Sequence, residues 1–261
     1  DLTFHDTRSL LAFIAPGAYI ADSTRLNVSV GKSGSLEGRL TSSRLASGTN
    51  YLKNVSLLFD NLGKSLNATI VSDEFRAGTF SIYKPAFTAY AKSNELSLSA
   101  HFDNESATGG NGDLYLNGEI YRDSCNVLVV KAHPLNSSIT TGRDKWTFGE
   151  SDIVLRGKDF YIDKFSMTNG NQSILADGGI SKDRSDTLIL DVNNVDLSLV
   201  DQFMPKKYGV KGRLGGKAYL TSEVGKAIGM LMNFNADSLS VGGVDAGSVR
   251  LSSELADNGR E

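Results

Sequence analysis

Cysteine is almost missing: Cys125 is the single one in 261 residues. No internal disulfide can form, and cysteine usage does not report the redox compartment. Proline is scarce at 4 residues, tryptophan occurs once, and the 3 histidines, His5, His101 and His133, lie far apart. No charge of one sign dominates. Lys and Arg total 27 against 30 Asp and Glu, a net charge of -3, which argues against a nucleic-acid binder, since that needs a basic surface to displace phosphate counterions. The longest purely apolar run, Leu10 to Ala15, is far short of the ~18 residues of a membrane span. No basic segment followed by an apolar core opens the chain as a signal peptide would. It begins at Asp1 without an initiator Met and ends on a polar tail at Glu261. The expectation is a piece of a longer protein, with any anchor or signal outside it.

Catalytic signatures are missing too. There is no P-loop, no G-x-S-x-G elbow, no H-E-x-x-H and no dinucleotide fingerprint. Gly109, Gly110 and Gly112 cluster but precede no helical pattern, so they read as a hairpin loop. A zinc site from the histidines and Cys125 lacks a close-spaced ligand pair. Asp183 and Asp186 share one loop and read as turn chemistry. Six Asn-x-Ser/Thr triplets, at Asn27, Asn54, Asn67, Asn104, Asn136 and Asn171, are what an Asn- and Ser-rich chain produces by chance. Cys125, beside the strand-like run Asn126–Lys131, is expected to be a buried thiol. Trp146 is expected to be a packing anchor. The chain is therefore read as no enzyme, with no catalytic residue, metal or cofactor.

What is present is alternation. Hydrophobic residues make up 40% and Gly numbers 27, which fits many short strands joined by turns. Leu96, Leu98, Ala100 and Phe102 alternate with Ser97, Ser99 and His101. Leu114, Leu116 and Ile120 alternate with Tyr115, Asn117 and Glu119. Leu188, Leu190 and Val192 share one face, as do Met230, Met232, Phe234 and Ala236. Leu26 to Val30 and Leu66 to Ile70 repeat the pattern. Side chains two apart in a strand share a face, so each strand is apolar on one side and wet on the other. Turns at Gly63-Lys64, Arg122–Ser124, Asn169–Asn171 and Lys182–Asp186 make an antiparallel meander. Helix is expected only at Val195–Met204, with Asp196 as its cap, and at Thr7–Ala15. Leu116–Asp123 resembles Ala176–Asp183 at an offset of 178 − 118 = 60 residues, and Gly-Arg-Leu recurs at Gly38–Leu40 and Gly212–Leu214. Repetition of this kind points to stacked supersecondary units.

An all-β chain with one apolar face per strand has two ways to hide it. Two sheets pack as a β-sandwich, or one sheet curls into a trough. The repeat favours the second: an elongated, curled antiparallel sheet with one or two short helices. It is read as one continuous repetitive region over 1–261, with sub-units at 1–132 and 133–261 and a joint near Pro205–Gly209. The candidate groove residues are Leu96, Leu98, Phe102, Leu114, Leu116, Ile120, Leu188, Leu190, Val192, Met230, Met232 and Phe234. In a sandwich these same residues are plain core.

From His133 to Leu255 the chain resembles the C-terminal region of TamB-type translocation and assembly module proteins, of the wider AsmA-like superfamily. The residues that carry this are Pro134-Leu135-Asn136-Ser137-Ser138-Ile139, Lys145-Trp146, and Phe165 to Gly178 with Gln172 and Ala176-Asp177-Gly178. They continue with Ile180-Ser181, Asp186-Thr187-Leu188, Asn194–Leu197, and Gly212-Arg213-Leu214-Gly215-Gly216. The order of the motifs is closest to members from Bacteroidetes-like Gram-negative bacteria. The resemblance implies a β-taco, an envelope protein in the periplasm anchored to the inner membrane by a helix outside this chain, and an Omp85-type outer-membrane barrel as partner. It implies phospholipid acyl chains as cargo, and a role in lipid transport or outer-membrane protein assembly. The distal part of the family's C-terminal domain, which would meet the barrel, has no counterpart before Glu261. Two rival classes are a structural or adhesive β-repeat module of the cell surface and a polysaccharide-acting enzyme. The latter needs clustered carboxylates on one face, which the alternation does not show.

Overall fold

The computed structural model describes residues 2–4, 17–78, 80–103, 110–141, 144–183, 185–199, 208–222 and 228–253. In chain order the strands are β1 (Leu2–Phe4), β2 (Ala18–Ile20), β3 (Thr24–Val30), β4 (Leu36–Ser47), β5 (Asn50–Asp60), β6 (Ser65–Val71) and β7 (Glu74–Ala77). Then come β8 (Phe80–Tyr83), β9 (Ala86–Lys92), β10 (Glu95–Asp103), β11 (Asn111–Arg122), β12 (Leu128–Pro134), β13 (Ser137–Thr141) and β14 (Asp144–Phe148). The last seven are β15 (Asp152–Arg156), β16 (Asp159–Asn169), β17 (Gln172–Ile180), β18 (Thr187–Asp196), β19 (Lys211–Ser222), β20 (Ile228–Val241) and β21 (Val244–Ser253). All 21 belong to one antiparallel sheet, so the chain is all-β and takes the single-sheet route rather than the sandwich.

Among the described residues, helical geometry is confined to two short stretches. A 3-10 turn spans Leu62–Lys64. At the expected helix Val195–Met204, β18 runs on to Asp196, because Val195 pairs with Leu214 and Asp196 with Arg213. Helical geometry begins only at Leu197–Leu199, where the Asp196 carboxylate accepts the Ser198 N–H at 2.9 Å. The capping role was legible; the persistence of the strand was not. Residues 200–204 and the expected helix Thr7–Ala15 lie outside the described residues.

The chain divides into two compact units, Asp1–Gly118 with Ser137–Lys145, and Glu119–Asn136 with Trp146–Glu261. In the first unit, β5 pairs with both β6 and β7 in one unbroken register, since Ser56 faces Val71 and Tyr51 faces Arg76. The pairs β6–β9 and β7–β8 likewise share a register. So β6 with β7, and β8 with β9, are single long strands, each interrupted by a crease. Asn54 (φ 50) and Lys84 (φ 47) mark that crease in the left-handed region. Asn54 Nδ2 donates to Asp73 at 2.6 Å, and the Asp73 N–H bonds the Lys53 carbonyl at 2.9 Å. One left-handed residue advances the side-chain phase, as a bulge does. The apolar positions therefore shift from Val55 to Leu52 along β5, and from Phe87 to Ile82 between β9 and β8.

The second unit bends by register shifts. These fall between Ile162 and Phe165 in β16, Val192 and Val195 in β18, and Ala236 and Leu239 in β20. Lys164, Asn194 and Ser238 take positive φ there, at 52°, 52° and 53°. Asp177 holds one bulge by accepting the Lys164 N–H at 3.0 Å.

The sixty-residue repeat has a physical meaning. In each copy the turn after the strand carries an aspartate whose carboxylate accepts the amide two residues on. Asp123 Oδ1 takes Cys125 N–H, and Asp183 Oδ1 takes Ser185 N–H, both at 2.9 Å. These are Asx-type turns, and their N–H donors hold both carboxyls below the usual aspartate value. For Asp123 the largest contribution is the Val127 N–H, with Arg156 adding to it. Cys125 sits in that turn and is exposed. The expectation of a buried thiol is corrected, because the turn carries Cys125 off the end of β11 before β12 begins.

Candidate functional site

Cross-strand pairing converts the alternation into rows of apolar side chains. In the first unit, Leu26, Leu40, Leu57, Ile70, Phe87 and Ala100 lie opposite one another in succession across β3, β4, β5, β6, β9 and β10. A second row runs Val28, Gly38, Phe59, Ala68, Ala89 and Leu98 across the same strands. Five steps at ~4.8 Å make each row ~24 Å long.

Leu96, Leu98 and Phe102 of β10 share this face. The Phe102 ring lies over Gly112 of β11, where an added Cβ would sit 2.3 Å from it. That places Leu114 and Leu116, at even positions of β11, on the apolar face. The opposite face is polar: Ser97 donates to Asn117 at 2.8 Å, and His101 bonds Asp113 at 2.7 Å. Phe102 is buried; Leu96, Leu114 and Leu116 are half-buried; Leu98 is exposed. Ile120, farther along β11 and within the second unit, is 45% exposed.

In the second unit the six predicted residues of β18 and β20 come onto one face. The row Ile162, Gly178, Leu188, Leu220, Met230 crosses β16 to β20. Beside it run Phe165, Ala176, Leu190, Ala218, Met232, and then Met167, Ile174, Val192, Gly216, Phe234, the last row reaching Leu251 of β21. Aromatic rings again cover glycines here, as Phe234 covers Gly216.

Exposure along these rows is uneven. Trp146 (1% exposed) and Val195 (2%) form a core with Val192. Met167, Ile174, Leu190, Leu199, Leu214 and Phe234 pack against it. At the margin, Met230 (43%) and Leu251 (54%) stand open. Part of the predicted groove is thus filled by the protein's own side chains, and part is exposed. Trp146 is the packing anchor its rarity suggested. The alternation did not single out Met167, Ile174 and Leu214, or Leu40, Leu57 and Phe87, because only pairing with distant strands brings them into the rows.

The polar face carries ion pairs and short networks. Lys217 meets Asp191 at 2.9 Å, and Arg156 meets Asp123 at 2.7 Å. Asp191 holds the Lys217 ammonium above its ordinary value by hydrogen bond and charge. His133 bonds Asp152 at 2.8 Å. Among the described residues, no group of three or more His, Cys, Asp or Glu is placed to hold a metal ion, and no helix is long and apolar enough to cross a membrane. Comparison of the chain with protein-family models, curated proteins and solved structures finds no match.

Proposed function

We propose that this chain is a non-catalytic segment of an envelope protein whose apolar face takes up phospholipid acyl chains for transport between two membranes. The observation that carries this reading is the set of cross-strand apolar rows, which no second sheet covers among the described residues and which are exposed at Leu98 and Met230. Burial of alkyl chain gains about 0.8 kcal/mol per methylene, so ~16 carbons gain on the order of 10 kcal/mol with no directional contact. Non-directional attraction to Leu, Met and Phe side chains lets a chain slide. The resemblance to TamB-type proteins supports a periplasmic setting, anchorage by a segment outside this chain, an Omp85-type barrel as partner of the longer protein, and a part in outer-membrane protein assembly.

A second reading, a structural or adhesive β-repeat module, draws support from the filled core around Trp146. The two are separated by native mass spectrometry and lipid extraction on protein purified from a membrane-containing bacterial lysate. Leu98→Asp and Met230→Asp are the informative variants, since both side chains are exposed on the apolar face, whereas Leu190 packs against the Trp146 core. Co-purifying phospholipid that is lost in the folded variants supports the groove. Lipid-free protein that takes up no photo-crosslinkable lipid refutes it and favours the structural module.

A further inference from the structure

The polar face of the second unit holds a depression that the apolar-groove reading leaves unused. Its volume is about 550 Å³, and its floor is the backbone at Gly215 and Gly216. A Cβ added at Gly215 would make only ordinary contact, 3.7 Å from the Val192 carbonyl oxygen. The register places Asn193 of β18, Asn235 of β20 and Arg250 of β21 around this floor, because Gly215 faces Asn235 and Asn235 faces Arg250. Bulges at Asn194 and Ser238, where φ is positive, bend β18 and β20 around it.

The hydrogen bonds leave a specific set of groups unused. Arg250 donates from Nε to Asn233 Oδ1 at 3.1 Å, which leaves both its terminal nitrogens without a partner among the described residues. Asn233 thereby keeps Nδ2 as a donor. Asn235 donates from Nδ2 to Asp237 at 2.8 Å and keeps Oδ1 as an acceptor. A neighbouring amide donor and amide acceptor match adjacent hydroxyls, and a guanidinium fork matches a carboxylate in the two-bond arrangement. At the far end, Arg213 is occupied by the Asn194 carbonyl (3.3 Å) and the Asp196 carboxylate (3.7 Å).

We propose that this depression is a binding site for an acidic saccharide, with the sugar carboxylate on Arg250 and adjacent hydroxyls on Asn233 and Asn235. The first unit supplies an internal contrast. Its cleft of about 510 Å³ holds the other Gly-Arg-Leu arginine, Arg39, among Glu37, Asp60, Leu58 and Leu62. Two carboxylates outnumber its one guanidinium, so it repels the same ligand, whereas the second-unit depression sets Arg213 and Arg250 against the single carboxylate of Asp237.

The test is a titration of the full chain with D-glucuronate, D-glucose and acetate, followed by amide NMR shifts. Glucuronate is expected to move Gly215, Asn235 and Arg250, with affinity at least about tenfold above glucose or acetate. Arg250→Ala should lose about tenfold or more, Arg250→Lys should retain part of the binding, and Arg39→Ala should change nothing. Asn235→Asp, an exposed substitution that adds a repelling charge, should abolish binding and serves if Arg250→Ala fails to fold by circular dichroism. Unmoved Gly215 and Asn235 amides, equal binding of glucose or acetate, or full affinity in folded Arg250 or Asn235 variants overturns the proposal. These readouts do not involve lipid, so they stand apart from the groove test.

Discussion

The two units solve the same problem with different materials. Each has strands that are apolar on one side and, among the described residues, no second sheet to cover them. The second unit gathers its apolar face around Trp146, which is 1% exposed and packed with Val192 and Val195. In the first unit, small polar residues join the apolar ones at the buried positions near the crease: Thr24, Ser42 and Ser72, beside Val55 and Ile82. Thr24 donates to the Ala21 carbonyl at 2.7 Å and shares a 2.7 Å hydrogen bond with Ser42. A buried Trp removes 150–250 Å² from water, worth about 4–6 kcal/mol at ~25 cal/mol/Å². A buried hydroxyl hydrogen bond contributes a net of about 1 kcal/mol. Period-two alternation thus specifies a strand but not how firmly its inner face is held.

The largest expected effect comes from Trp146→Ala, at about 3–5 kcal/mol. Hydrogen exchange should show β16 to β19 losing protection while β4 and β5 keep theirs. Equal loss in both units would break the contrast.

Two glycines under aromatic rings sharpen it next. An added Cβ at Gly216 meets the Asn233 carbonyl at 2.2 Å, with φ at 145°. At Gly38 the Cβ meets the Phe59 ring at 2.1 Å, and a side chain rotates away more cheaply than backbone moves. Gly216→Ala should therefore cost more than Gly38→Ala, by about 1–3 kcal/mol of backbone strain. A pair of urea melts measures the difference, and a reversed order would show that the first unit is the more rigid.

Thr24→Val ranks third. It deprives Ser42 of a buried partner, for about 1–3 kcal/mol, and its effect should stay within β2 to β5 in a hydrogen-exchange map. Spread into the second unit would count against independent cores.

The smallest effect is acid sensitivity of the Asx turns. Asp123 and Asp183 have folded values below the ordinary aspartate value of 3.8, held there by the Val127 and Ser185 N–H groups respectively. Their contribution is therefore present above the unfolded value and is lost as pH falls through the folded one. Carboxyl NMR titration should place both midpoints below 3.8, with Asp123 shifting upward in Arg156→Ala. An unmoved Asp123 midpoint in that variant would remove the ion pair from the account.

Much of the fold was legible because strands announce themselves locally. Leu96 to Phe102, Leu188 to Val192 and Met230 to Ala236 all fall in strands with the expected residues sharing a face. The turn aspartates were legible for the same reason. The face shift from Val192 to Val195 was not, since it depends on Asn194 adopting a left-handed backbone that Asn permits but does not require. The extension of β18 through Asp196 depends on β19 lying alongside it. The polar depression was equally hidden: Asn233, Asn235 and Arg250 look like ordinary wet-face residues until β20 and β21 bring them beside Gly215.

The sequence by itself determined an all-β chain with one apolar side per strand and turns at its aspartates and glycines, because side-chain alternation and turn chemistry operate within a few residues. Only the tertiary structure decided which apolar residues are covered: those around Trp146 in one unit, and Val55 and Ile82 near the crease that carries the Thr24–Ser42 hydroxyl pair in the other. Coverage depends on which distant strands lie opposite, and that is set by registers and single left-handed residues whose cost and gain are felt only in the assembled sheet.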